Sequence, residues 1–304
     1  MVLLITVIEF MLKSFSGGGI PWFVGHECRA GLVNLISQLD PELGVMLHEG
    51  LSIGDKKKAI FSLKPLKFVS GFKVVFPERG FRQFLVDGNV VFRPSAQAFV
   101  SIVVYDEGLA SKFLARLLSG LHELKVNVKG YEFSVEKLGF ELINPFQILS
   151  SGEFPKEVDI EFVTPTYFNP MHGDARYKVL YPDLTLMFAS LISTAYQLTG
   201  VSYPKPEDVA DLTYISGLDI KTPFIKDMQH EAPTGFVGWV KLRTKEGIDE
   251  KASRMIAGLL KLGEITNVGG NRSGGYGVMK LKTPQDKDVA VTHSVAETPQ
   301  PRSG

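Results

Sequence analysis

The chain has 304 residues, 44% hydrophobic and 22% charged, with 33 basic and 33 acidic side chains and so no formal net charge. That length suggests two domains; the composition is that of a globular protein with ample core, and the charge balance excludes a global basic field that would advertise nucleic acid. A single cysteine, Cys28, excludes an intrachain disulfide and a cysteine-rich zinc site.

The six histidines (26, 48, 122, 172, 230 and 293) show no H-E-x-x-H or related ligand spacing, so no metal site and no cofactor are expected. No stretch approaches 18 uninterrupted apolar residues. The apolar start, Met1 to Leu12, carries Glu9 and lacks both a basic leader and a small-residue cleavage site, so it reads as a buried strand. A soluble, cytoplasmic protein with no membrane partner is expected.

In chain order, Val2–Lys13 reads as the first strand and residues 16–21 as a glycine-rich loop. Residues 25–39 follow as a helix with apolar positions at 28, 32, 35, 36 and 39. Asp40-Pro41 opens a short helix, Glu42–Leu47, with proline at its favoured first position. Between Asp55 and Arg82 lie eight basic residues against two acidic ones, a run that fits a solvated face or a phosphate-binding one. Strands are expected over 59–66, 68–76, 83–92 and 98–104, a helix over 110–121 and a closing strand over 132–142. The second half reads as a strand at 158–163, helices at 182–198 and 206–218, a strand at 236–242, a helix at 249–262 and a last strand ending near Leu281.

Both halves can be written β-α-β-β-α-β, which predicts an α+β protein of tandem ferredoxin-like, RRM-like domains. The expected division is 1–146 for the first domain, 147–282 for the second and a disordered tail at 283–304, rich in Pro, Thr, Ser and Gln.

The stretch Val268-Gly-Gly-Asn-Arg-Ser-Gly-Gly-Tyr-Gly277 lies between the last helix and the last strand. Its glycines leave the backbone free to approach a partner, and exposed amides there can hold phosphates. It is not a Walker loop, since no Gly-Lys-Ser/Thr follows. A plain glycine-rich connection is the competing reading.

Four segments resemble the CRISPR-associated endoribonucleases that process repeat transcripts, members of the RAMP superfamily. They are the glycine loop; Gly235-Phe-Val-Gly-Trp-Val-Lys-Leu242, similar to the strand that pairs with it; Ile160-Glu-Phe-Val-Thr-Pro-Thr166; and Asp40-Pro-Glu-Leu-Gly-Val-Met-Leu-His48. The resemblance covers roughly residues 1–282. It implies a metal-independent cut of CRISPR repeat RNA (pre-crRNA), in which the RNA's own 2′-hydroxyl attacks phosphorus and leaves 2′,3′-cyclic phosphate and 5′-hydroxyl ends. By motif position His48 is the implied general acid/base and Lys57 sits closest to the stabilising cation, with Lys56 or Lys58 as alternatives a residue away and as RNA-binding neighbours. A helix C-terminal histidine interacting with the dipole is the plain alternative for His48. Some relatives add a tyrosine from the first helix; here that position falls near Val33, and His26 stands as its replacement or as a simple capping histidine. Gly269, Gly270, Asn271, Arg272, Ser273, Gly274, Gly275, Tyr276 and Gly277 are the expected RNA-binding loop, with Tyr276 a stacking platform. Other CRISPR-associated effector subunits are further candidate partners, and the chain is expected to be a monomer or homodimer. Two other functions compete: a RAMP subunit that binds crRNA without cutting it, and a small-molecule or protein-binding module.

Overall fold

The computed structural model describes residues 4–53, 56–58, 60–75, 88–120, 124–152, 154–170, 177–223 and 235–282. The expected tail, 283–304, lies outside them. The first sheet is built from β1 (Ile5–Ser14), β2 (Gly18–Pro21), β5 (Phe61–Val75), β6 (Asn89–Val104), β7 (Lys125–Val128) and β8 (Tyr131–Ile143). A separate two-stranded hairpin, β3 (Leu51–Ile53) with β4 (Lys56–Lys58), sits between its helices and β5. The second sheet is β9 (Glu157–Thr166), β10 (Thr213–Lys221), β11 (Phe236–Thr244) and β12 (Met279–Lys282).

Four strands of the first sheet run β8-β1-β6-β5, and the second sheet runs β12-β9-β11-β10. All pairings are antiparallel. Each sheet therefore places its last strand beside its first, then the third, then the second. That order, with a helix after the first strand and another after the third, is the ferredoxin-like pattern predicted above.

The helices are α1 (Gly25–Leu39), α2 (Pro41–Glu49), α3 (Glu107–Ser119), α4 (Pro145–Ser150), α5 (Leu184–Thr199), α6 (Pro206–Ala210) and α7 (Glu250–Thr266). On α1 the period-3.6 stripe Cys28, Leu32, Leu35 and Ile36 is buried against Ile8, Phe10 and Leu12 of β1. Each such side chain contributes about 1.5–3 kcal/mol on full burial. The start of α2 is fixed by Asp40, whose side chain accepts from the Leu43 amide (3.2 Å), and by Pro41 in the first turn. That amide, and then Arg116 at 3.0 Å, hold the Asp40 carboxyl below its usual range.

The second core packs Ile160, Phe162, Val240 and Leu242 against Met187, Phe188 and Leu191 of α5 and Ile256, Leu259 and Leu260 of α7. Ile5 and Val103 of the first sheet and Tyr105, just after β6, join this second core, so the two halves share buried apolar surface.

Several elements depart from the sequence expectations. Residues 18–21, read as loop, pair with β6 as β2. Over the described part of the four strands expected over 59–104 there are two long ones, β5 and β6, with register shifts at Lys64/Lys67, Phe68/Ser70 and Ser70/Phe72, while 59, 76 and 83–87 lie outside the described residues. The helix expected over 206–218 ends at Ala210, and the rest is strand β10. A bulge between Ile215 and Gly217 inserts Ser216 and spaces the apolar residues Leu212, Ile215 and Leu218 by three, which imitates a helical stripe.

Gly277 has φ +72, and a Cβ there would overlap the carbonyl oxygen of Val268. Gly247 has φ +80 with open space around it. Gly277→Ala should therefore cost more than about 2 kcal/mol, and Gly247→Ala about 1 kcal/mol or less. Denaturant unfolding of both variants checks this, and equal losses would mean that the packing around Gly277 contributes nothing.

Candidate nucleic-acid interface at the glycine loop

The loop begins where α7 ends. Asn267, at φ +61, donates through Nδ2 to the Leu63 carbonyl of β5 (2.9 Å) and to the Tyr276 carbonyl (3.1 Å). One side chain thus closes the loop on itself and ties it to the first half. A single 3-10 turn, Arg272–Gly274, forms the far end. Its return path lies against α1: a Cβ on Gly25 would overlap the Gly274 carbonyl oxygen, and one on Gly275 would lie 3.1 Å from the Gly25 Cα and 3.3 Å from the Pro65 ring.

Most of the loop's amides are already used. Gly269 donates to Ser190 Oγ (2.8 Å), Gly270 to the Tyr167 carbonyl (3.0 Å) and Gly277 to the Pro165 carbonyl (3.0 Å). Gly274 and Tyr276 donate to the Asn271 carbonyl (2.9 and 3.4 Å), and Gly275 to the Arg272 carbonyl (3.1 Å). Among the described residues, only the amides of Asn271, Arg272 and Ser273 within 269–277 have no carbonyl or side-chain acceptor. The expected amide cradle therefore shrinks to that one turn. The glycines serve close backbone packing instead: Gly269 sits at φ +80 over the Tyr167 carbonyl, and Gly270 lies under the Tyr167 ring.

Tyr276 is 0% exposed, so the expected stacking platform has no face to offer a base. Its ring meets Phe23 edge-on at 5.0 Å and Tyr167 at 5.7 Å, with His26 at 5.6 Å. These rings form a small core of their own, edged by the partly buried Trp22 and Leu180. Arg272, expected at the loop's tip, turns inward. Its Nη1 donates to Thr194 Oγ1 of α5 (2.7 Å), and its guanidinium lies 5.7 Å from the Tyr105 ring centre. Tyr105 Oη in turn donates to the Thr266 carbonyl (3.0 Å), at the end of α7.

His26 is the second residue of α1, partly exposed and beside the loop's aromatic core. His48 is exposed in the last turn of α2. The two are linked through Arg29, one helical turn beyond His26, whose Nη2 donates to the His48 carbonyl (3.0 Å). That carbonyl is one of the helix's last, which have no partner within the helix. Burial pushes the Arg29 guanidinium below its usual range, and its Nε is buried without a partner among the described residues. Directly after α2 comes the β3–β4 hairpin, with Ser52 opposite Lys57, Ile53 opposite Lys56 and Leu51 opposite Lys58.

Val33, near the position at which the resemblance implies a tyrosine in some relatives, packs against the first core. Cys28 is buried, and its sulfur accepts from the Leu66 amide at 3.4 Å; burial pushes the thiol up to about 12, so it is no nucleophile. Among the described residues no three His, Cys, Asp or Glu side chains are grouped to hold a metal ion. No described helix is long and apolar enough to cross a membrane. Sequence reasoning missed Gly25, Arg29 and Tyr167. Only the i, i+3 spacing of His26 and Arg29 offered a signal for any of them.

No curated protein matches the chain by sequence. Residues 160–279 match the family model of the CRISPR-associated endoribonuclease Cas6. Among solved structures, Thermus thermophilus Cas6 (TTHB231) aligns with TM-score 0.63 at 17% identity over 93% of this chain and 100% of that one. The product complex of Cas6 (TTHA0078) aligns with TM-score 0.64 at 18% identity over 92% of this chain and all of the other. A RAMP protein described as binding different RNA substrates aligns with TM-score 0.50 at 13% identity over 92% of this chain. The chain thus resembles the Cas6 endoribonucleases of the RAMP superfamily, by sequence over most of its second half and by its tandem ferredoxin-like fold over nearly its whole length.

Proposed function

We propose that this protein is an endoribonuclease that cuts CRISPR repeat RNA. The observation that carries the reading is the Cas6 family match over 160–279, a span that contains the glycine loop. The fold of Cas6 proteins solved in product and substrate-mimic complexes supports it. The proposed units are 1–146, which carries the histidines and lysines, and 147–282, which carries the loop.

The chemistry follows from what the first unit exposes. The 2′-hydroxyl of the nucleotide before the cut loses its proton to a base and attacks the adjacent phosphorus. The P–O5′ bond breaks, the leaving oxygen takes a proton from an acid, and the products are a 2′,3′-cyclic phosphate and a 5′-hydroxyl. His48 supplies one proton transfer, since it is exposed at a helix end and imidazole works in the needed range. His26, next to the loop, supplies the other. Lys57 on the β3–β4 hairpin, flanked by Lys56 and Lys58, is the proposed cation that stabilises the charge growing on the phosphorane oxygens. The loop's contribution is the 271–273 turn, whose free amides and partly exposed surface meet an RNA phosphate.

A RAMP subunit that holds RNA without cutting it is the second reading, favoured by Val33 standing where relatives carry a tyrosine.

Incubation with repeat RNA in EDTA should give 5′-hydroxyl and cyclic-phosphate ends, read by end-labelling and mass spectrometry. An absolute need for a divalent ion would remove this mechanism. His48→Ala should slow cleavage by about 10²–10⁴-fold with RNA affinity nearly unchanged; a wild-type rate would transfer the role elsewhere.

A negative charge at the free turn should act on binding alone. Ser273→Glu is expected to weaken RNA affinity roughly 3–10-fold at moderate salt while leaving the melting temperature in place. Unchanged affinity would show that the turn does not meet RNA.

A further inference from the structure

The outer edge of β8 is open over a defined stretch. Its inner edge pairs with β1 from Ile5↔Ile143 to Ser14↔Phe133. The outer edge is covered by β7 only at Tyr131–Ser134, and the last bond there runs from the Val135 amide to the Leu124 carbonyl (3.0 Å). At the other end the chain leaves the sheet at Asn144, whose side chain caps α4 by accepting from the Phe146 amide (2.9 Å). Between these points residues 136–143 have no strand on their outer side among the described residues. Two large apolar side chains there face solvent, Phe140 at 57% and Leu142 at 55% exposure.

An open edge presents a row of unsatisfied amides and carbonyls, and proteins usually blunt such edges with charge. Here the charges are arranged to complement themselves. The midpoint of 136–142 is Gly139. A second copy of the strand, antiparallel and related by a two-fold axis through Gly139, places Lys137 opposite Glu141 of the second copy and Glu141 opposite its Lys137. The same register sets Leu138 against Phe140 of the second copy, twice. Moving the axis one residue either way destroys both ion pairs: Lys137 then meets Gly139 or Ile143. At the axis itself the two glycines stand opposite each other, and open space surrounds the position.

We propose that a second copy of this chain pairs with the 136–142 edge of β8, making a two-fold dimer whose first sheet runs without a break through both copies. Such an interface is self-complementary, as two-fold symmetry requires, and combines main-chain bonding with cross-strand side-chain pairs. It uses neither histidine, nor the lysine hairpin, nor the glycine loop, so it stands independently of the proposed chemistry.

The test is a charge swap read by sedimentation equilibrium over a wide dilution series. The wild-type chain should pass from monomer to dimer. Lys137→Glu alone and Glu141→Lys alone each set like charges opposite one another twice, and each should weaken association roughly tenfold or more. The double variant K137E/E141K rebuilds both pairs with reversed sign and should associate like wild type. Circular dichroism confirms that each variant is folded. A wild-type chain monomeric throughout, or single reversals that leave the dimer intact, would overturn the proposal.

Discussion

The structure depends on the close approach of two backbones. The carbonyl of Gly274, in the second half, lies where any side chain on Gly25, the first residue of α1, would have to be. Asn267 reinforces this contact by spending one amide on Leu63 of the first half and on Tyr276 of its own loop. The rings of Phe23, Tyr167 and Tyr276 fill the space beside it. A bulkier residue at Gly25 would separate the halves by an atom's width, and packed interiors tolerate such gaps poorly. The loop is therefore first a joint and only then a surface.

That order of priorities explains how the glycine loop's residues divide. The amides that look available in sequence are mostly engaged in holding the joint, and Arg272 braces it through Thr194 and Tyr105. What is left for a ligand is one turn of backbone at 271–273. Its position beside the start of α1 sets it near His26, while Arg29 reaches from the same helix to the end of α2. One helix thus touches the loop, carries one histidine and steadies the segment that carries the other.

Much of this was legible in the sequence where local signals and tertiary environment agree. Helix α1 could be read at its bounds from its apolar stripe, and α2 from the Asp40-Pro41 start. The fold class followed from the order of elements. The failures share a cause: tertiary contacts changed the local period. The bulge at Ser216 made β10 resemble a helix, and the register shifts in β5 made one strand resemble two. The site was legible as a set of candidates. The inward turn of Arg272 and the burial of Tyr276 were not, because a basic and an aromatic residue in a glycine loop look the same whether they face solvent or the other half. Gly25 gave no pattern of its own, and Arg29 only its spacing from His26; their meaning lies in what sits across from them.

The strand order has a consequence for how the chain reaches this state. In the second sheet β9 lies between β11 and β12, so an early segment waits for the latest one before its outer edge is paired. The glycine loop immediately precedes β12. Closing so long a span of chain is entropically costly, and contacts of this separation form late. Completion of the second sheet and docking of the loop on α1 are consequently one event. Until that step is complete the joint is missing, so incompletely folded molecules are also molecules without an assembled site.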